Sequence, residues 1–231
     1  MANSSTTQFG DDCVLMLHMD GSDLSTTFTD SSTAANTVTA NGGATLVTAV
    51  QKFGSASGVF VSAASSYLTV PNSSNWNFGT GDFTIDFWVR FNTHLANATL
   101  ISYNNGDDFW VKWITGSGGI MLFYAGGAGV ETAFTPTDNQ WYHIAMTRSG
   151  TSLNGFIDGV VGTTATSSFN ITDAGTLNIG ASNAPSNYSD VWIDELRVVK
   201  GTAVWTANFT PSTSAYTSSV GNPGAFFLLI N

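Results

Sequence analysis

The sequence predicts an all-β protein built as an antiparallel sandwich or barrel, and three observations predict it. The first is the run Phe83, Ile85, Phe87, Val89 and Phe91, which falls on one face of an extended strand while Thr84, Asp86, Trp88 and Arg90 fall on the other. Alternation with a period of two over this length excludes an amphipathic helix, which needs apolar residues three and four apart. The second is the recurrence of short strand-like runs between turn signals, with no helix pattern longer than a turn. The third is size and composition. A chain of 231 residues, 42% hydrophobic and 13% aromatic, can fill a large core as one β unit without disulfides or a cofactor.

In chain order the strands are expected at residues 14–20, 58–62, 67–70, 83–91, 99–103, 109–114, 119–124, 140–148, 152–158, 176–179 and 191–199. The first is an apolar run, Val14-Leu15-Met16-Leu17, which closes at Asp20-Gly21. The middle strands are punctuated by Asn104-Asn105-Gly106-Asp107, Ser149-Gly150 and Asp158-Gly159, residue types that tolerate positive φ and so write hairpin turns. Short helical turns are expected at 73–76 and 203–207.

Charge removes several function classes. The formal net charge is −10, with six Lys and Arg in total and no basic cluster. Nucleic acid and anionic membrane both need a positive footprint, so neither is an expected partner. Sugars and divalent cations remain compatible. Only 10% of residues are charged, so solubility rests on Ser, Thr, Asn and Gly, as suits an extracellular or particle-surface β-protein. The single cysteine, Cys13, lies in an apolar run and reads as an inert buried thiol. Residues 1–8 are polar and lack the basic start and apolar stretch of a cleaved signal peptide, so any exit from a cell is expected by another route, such as lysis.

The C-terminus changes character. Residues 211–223 have the Ser, Thr, Gly and Pro content of a linker, and the apolar run Phe226, Phe227, Leu228, Leu229 and Ile230 follows. A bare apolar strand templates association, so this run is expected either as a last strand of its own sandwich or as an assembly element inserted into a neighbour. The organisation expected is an arm over 1–10, a sandwich over 11–211, and a linker with an apolar tail over 212–231.

Several segments carry a family resemblance. They include Leu15-Met16-Leu17-His18-Met19-Asp20-Gly21, Lys52-Phe53-Gly54-Ser55, Phe78-Gly79-Thr80-Gly81-Asp82-Phe83-Thr84-Ile85, and Gln140-Trp141-Tyr142-His143-Ile144-Ala145. Further on come Phe156-Ile157-Asp158-Gly159, Ile193-Asp194-Glu195-Leu196-Arg197-Val198 and Thr206-Ala207-Asn208-Phe209-Thr210-Pro211. In this order they resemble a laminin-G-like, concanavalin A-like jelly-roll domain of the type found in tailed-phage structural proteins. The resemblance implies two antiparallel sheets face to face, with the first and last main strands adjacent. It does not imply a job, since such sandwiches host lectins, glycosidases and particle decoration.

Candidate chemistry is sparse. A glycosidase needs two carboxylates on one sheet face. Asp194 and Glu195 are adjacent and so are expected on opposite faces, while Trp192 separates Asp190 from Asp194. No Gly-x-Ser-x-Gly elbow accompanies His18, His94 and His143, which read as structural. No enzyme is expected. The metal candidate is a structural calcium site from Asp20, Gly21, Asp30 and Asp194, weighed against the plainer reading in which Asp20 caps a turn and Asp194 bonds backbone amides. The ligand-binding candidates are Asn104 and Asp107 in a loop, with Trp88 and Trp110 from an aromatic set that also includes Trp113 and Tyr142. Trp110 and Trp113 are three apart on one strand, so at most one of them faces a ligand.

The expected function is therefore a non-enzymatic surface component of a tailed-phage virion, a capsid decoration protein or tail appendage. Its expected partners are other virion proteins, or copies of itself bound through the tail, together with host-surface glycans. The alternative is a carbohydrate-binding lectin-like module, with or without calcium, and the remote one a glycosidase.

Overall fold

The computed structural model describes residues 8–94, 97–103, 108–115, 120–125, 127–172, 175–183 and 185–218. Its strands are β1 (Gln8–Phe9), β2 (Cys13–Leu17), β3 (Thr39–Asn41), β4 (Thr45–Val47), β5 (Ser57–Phe60), β6 (Tyr67–Val70), β7 (Phe83–Thr93), β8 (Ala98–Tyr103) and β9 (Phe109–Ile114). They continue as β10 (Ile120–Ala125), β11 (Ala128–Ala133), β12 (Trp141–Ser149), β13 (Ser152–Ile157), β14 (Val160–Thr166), β15 (Leu177–Ile179), β16 (Asp190–Lys200) and β17 (Thr217–Ser218). The result is the expected all-β sandwich. One sheet has seven strands in the order β11-β10-β9-β8-β15-β6-β3. The other has eight, in the order β14-β13-β12-β7-β16-β5-β4 with β2 also on β16, so the first and last long strands are neighbours as the resemblance implied.

The core lies between the sheets. Phe83, Ile85, Phe87, Val89 and Phe91 point into it from β7, and each side chain is fully buried. Phe78, Phe83, Phe109 and Tyr103 stack in series, with ring centroids 4.7, 5.5 and 5.3 Å apart along the chain Phe83–Phe78–Phe109–Tyr103. Removing one such ring costs about 3–5 kcal/mol, because the cavity cannot collapse in so tight a stack.

Strands with a long apolar alternation are where the sequence placed them. The edge strands β3, β4, β11 and β14 were not foreseen. β14 reads Val-Val-Gly-Thr-Thr-Ala-Thr and buries none of its side chains fully, so no period-two signal marks it. The short 3-10 turn at Ser74–Trp76 matches the expected helical turn at 73–76. The helical turn expected at 203–207 does not form, because the backbone there is held by side chains of the sheet beneath. Val204 N–H donates to Thr84 Oγ1 and the Trp205 carbonyl accepts from Thr147 Oγ1, both at 2.9 Å.

Those bonds belong to a strap. Residues 202–216 cross the outer face of the eight-stranded sheet and bury part of it, around Ala145, Phe156 and Asp86. Trp205 and Phe209 stack at 3.9 Å and 6°, against Ala145 and Phe156. Gly159 (φ +75°) lets the strap come close, since a Cβ there would collide with the Phe209 carbonyl. The strap ends with Thr217–Ser218 paired in parallel to Gln8–Phe9. Residues 212–218 therefore belong to the folded body, Tyr216 being only 3% exposed, and not to the linker expected over 212–231. The tail residues Phe226, Phe227, Leu228, Leu229 and Ile230 lie outside the described residues.

Candidate functional site

The strap sits on a buried polar network. The Asp86 carboxylate, fully buried on the outer face of β7, accepts from Arg197 Nε at 2.9 Å and from the Tyr216 hydroxyl at 2.6 Å, with His143 Nε2 at 3.3 Å. Burial by itself would raise the Asp86 pKa, but the Arg197 guanidinium, His143 and Tyr216 outweigh it and hold the carboxyl below its usual range. Arg197 also faces the rings of Tyr216 at 4.1 Å and Trp205 at 5.4 Å. Glu195 joins the network from a bulge in β16, with Oε1 2.8 Å from His18 Nδ1 and Oε2 accepting from Tyr216 N–H at 2.7 Å.

That bulge corrects one expectation. Glu195 adopts φ 51°, and the register between β16 and β7 shifts between Asp194 and Arg197. Strict alternation fails there, so Asp194 and Glu195 both lie on the strap side of the sheet rather than on opposite faces. Neither is an open pair for a sugar. Asp194 is fully buried and accepts from the amides of Lys52 and Phe53 at 2.7 and 3.1 Å, while Glu195 is 1% exposed.

The calcium candidates are not gathered into one coordination sphere. Asp20 accepts from Ser55 N–H and Oγ beside Gly54, where a Cβ would collide with that carboxylate. Asp30 accepts from the amides of Met16 and Ser32 through Oδ1 and from Asn36 and Ser32 Oγ through Oδ2. Gly21 donates its N–H to Ser55 Oγ, so it offers no carbonyl through that bond. No group of three His, Cys, Asp or Glu able to hold a metal ion occurs among the described residues. The partners are donors, whereas calcium needs oxygens, so this residue set does not fit the ion. Asp194 keeps one oddity: its Oδ1 has no hydrogen-bond partner, and burial pushes its pKa up to about 8 despite the amides.

The ligand candidates separate. Trp88 lies on the outer face of the eight-stranded sheet, 7% exposed, under Lys52 Nζ at 3.8 Å and edge-on to Phe53. Trp110 lies on the outer face of the seven-stranded sheet, while Trp113 and Tyr142 are core residues. The four aromatics therefore form no single platform. Asn104 and Asp107 lie outside the described residues.

Trp110 instead finds a partner the sequence reading missed. Tyr124 stands opposite it on β10, and the two rings stack with centroids 5.0 Å apart and planes 9° from parallel. The outer face continues across the sheet in register as Gly129, Tyr124, Trp110, Ser102, Asn178, Thr69 and Thr39. The two rings lie near one end of this row, while Ser102 and Asn178 in its middle are buried, 1% and 2% exposed, and donate to the Ala181 and Ser182 carbonyls. Beside the tryptophan lies a groove of about 190 Å³ lined by Thr99, Ser102, Trp110, Lys112, Ser182 and Asn187. The groove's walls are tied down: Ser102 Oγ donates to the Ala181 carbonyl, Thr99 N–H to the Asn187 carbonyl, and Ser189 Oγ to the Thr99 carbonyl. The alternation of Phe109-Trp110-Val111-Lys112-Trp113 put Trp110 and Lys112 on one face, but only the β9–β10 register reveals Tyr124.

Comparison with known proteins agrees with this architecture. Residues 62–206 match the sequence family described as the Concanavalin A-like lectin/glucanases superfamily. No curated protein matches the chain in sequence. Among solved structures, the binding domain of Paraclostridial Mosquitocidal Protein 1 is similar at a TM-score of 0.65 and 16% identity, over 84% of this chain and 50% of that one. Domain 4 of an extracellular arabinanase from Geobacillus stearothermophilus, solved with arabinotriose, is similar at 0.62 and 17%, over 82% of this chain and 92% of that one. A structure of botulinum neurotoxin type C, whose cell entry depends on interaction with two ganglioside molecules, is similar at 0.62 and 14%, over 84% and 49%. The chain spans about half the length of the two toxin chains. At these identities the likeness is one of fold.

Proposed function

The chain belongs to the Concanavalin A-like lectin/glucanases superfamily, and from that premise we propose that it is a non-catalytic carbohydrate-binding module whose site is the outer face of the seven-stranded sheet. One observation carries this reading: the stacked pair Trp110–Tyr124 beside a polar groove on the sheet face that the strap leaves open. An apolar sugar face packs on an aromatic ring, and nearby hydroxyl and amide groups fix its orientation. The β9–β10 register sets the two rings side by side without a ligand, and a preformed platform costs little ordering on binding. The arabinanase domain supports the reading, because it has nearly the extent of this chain and was solved with a sugar. The buried, amide-bound state of Asp194 and Glu195 argues against hydrolysis at β16.

A virion-surface role is compatible with this reading, since a glycan-binding module on a particle would act in adhesion. Its support is the resemblance to tailed-phage structural domains. Detection of the chain on purified particles tests it.

A panel of immobilised glycans tests the module. Reproducible binding by the wild-type protein, lost in Trp110→Ala with the fold intact, is expected. Binding that survives Trp110→Ala and Tyr124→Ala together would remove the site from this face. Release of reducing sugar from common polysaccharides would overturn the non-catalytic reading.

A further inference from the structure

The groove holds a charge that a neutral sugar does not call for. Lys112 lies half-buried beside Trp110, its Nζ 5.9 Å from the indole ring, and lines the groove with Thr99, its cross-strand partner. The ion pairs among the described residues involve His18, His94, His143 and Arg197, and none involves Lys112. Burial lowers its pKa with no carboxylate raising it back, so the cation is desolvated and uncompensated. Glu131 is on the same sheet but two strands away, reached through Leu122, and it is exposed. Thr99 beside it is 2% exposed, and its hydroxyl oxygen is closed off from solvent, so the lysine is the group that the groove offers to a ligand.

We propose that the groove binds a saccharide carrying a carboxylate, a uronic or sialic acid residue, with Lys112 pairing the carboxylate and Trp110 supporting the ring. This rests on the carbohydrate-binding reading of the same face. At about 190 Å³ the groove is smaller than the ~300–1,000 Å³ clefts that enclose a drug-sized ligand, so it takes one acidic residue of a glycan. The net charge of −10 works against an anion, but at physiological ionic strength charges beyond ~8 Å are largely screened. The charge at the groove itself then decides, and that charge is Lys112.

The experiment titrates the protein by calorimetry with two matched pairs: an oligogalacturonate beside its methyl ester, and sialyllactose beside lactose. In at least one pair the wild type is expected to bind the acid about tenfold more tightly, the size of one charge-assisted hydrogen bond. Lys112→Gln is expected to abolish that preference, Lys112→Arg to keep most of it, and Trp110→Ala to weaken acid and neutral partner alike. Melting curves confirm that each variant is folded. Equal affinity for acid and neutral partner, or a preference that survives Lys112→Gln, overturns the acidic assignment while the module itself stands. Binding of none of the four probes overturns the acidic assignment, and a glycan panel without hits then removes the module reading as well.

Discussion

The hydroxyl of Tyr216 donates to Asp86 Oδ2 at 2.6 Å across 130 residues of sequence. This single bond pins the end of the strap to the centre of β7, at the point where Arg197 and His143 also meet the carboxylate.

Tyr216→Phe is expected to destabilise the protein by about 1–2 kcal/mol, because a buried charge-assisted bond is lost while the ring stays. For a domain of this size that lowers the melting temperature by roughly 2–8 °C. Limited proteolysis should then cut within residues 202–216 faster than in the wild type. An unchanged melting temperature and cleavage pattern would mean that the ring packing alone holds the strap.

Asp86→Ala removes the anion and leaves Arg197 buried and unpaired. The expected loss is about 3–5 kcal/mol, larger than that from Tyr216→Phe, since an uncompensated charge must be tolerated or the strap must open to water. Chemical denaturation of both variants measures the order.

Asp194 makes stability depend on pH in the direction opposite to most carboxylates. Its folded pKa is raised from 3.8 to about 8, so the folded state holds a proton that the unfolded chain releases. Its contribution is full below the unfolded value and is lost as pH rises through the folded one. Wild-type stability is therefore expected to fall between about pH 4 and about pH 8, and Asp194→Asn to flatten that slope. Melting temperatures of the two proteins over this range decide it, and parallel profiles would show Asp194 ionised throughout.

Trp110 and Trp88 are expected to differ as sites. Trp110→Ala should weaken glycan binding about tenfold or more, as loss of a central aromatic anchor does. Trp88→Phe should leave binding unchanged, because Trp88 lies on the far sheet beneath Lys52. Glycan titration with both variants compares them, and loss of binding in Trp88→Phe alone would move the site to the other face.

The sandwich was legible because its long strands carry their burial in their spelling. β7 alternates through Phe91, and β9 does so through Trp113. What the sequence hid was pairing. Tyr124 meets Trp110 only through a hairpin register, and Asp194 joins Glu195 on one face only through a bulge that no residue type announces. Tyr216 sits among Ser and Thr and reads as linker, yet it reaches a buried carboxylate 130 positions away. Alternation reports which face a residue takes on its own strand, and it is silent on what another segment lays across that face.

The parallel pairing of Gln8–Phe9 with Thr217–Ser218 sets the entry and exit of the domain side by side. Neighbouring ends allow a folded unit to be spliced into a loop of a larger chain without either connection crossing the fold.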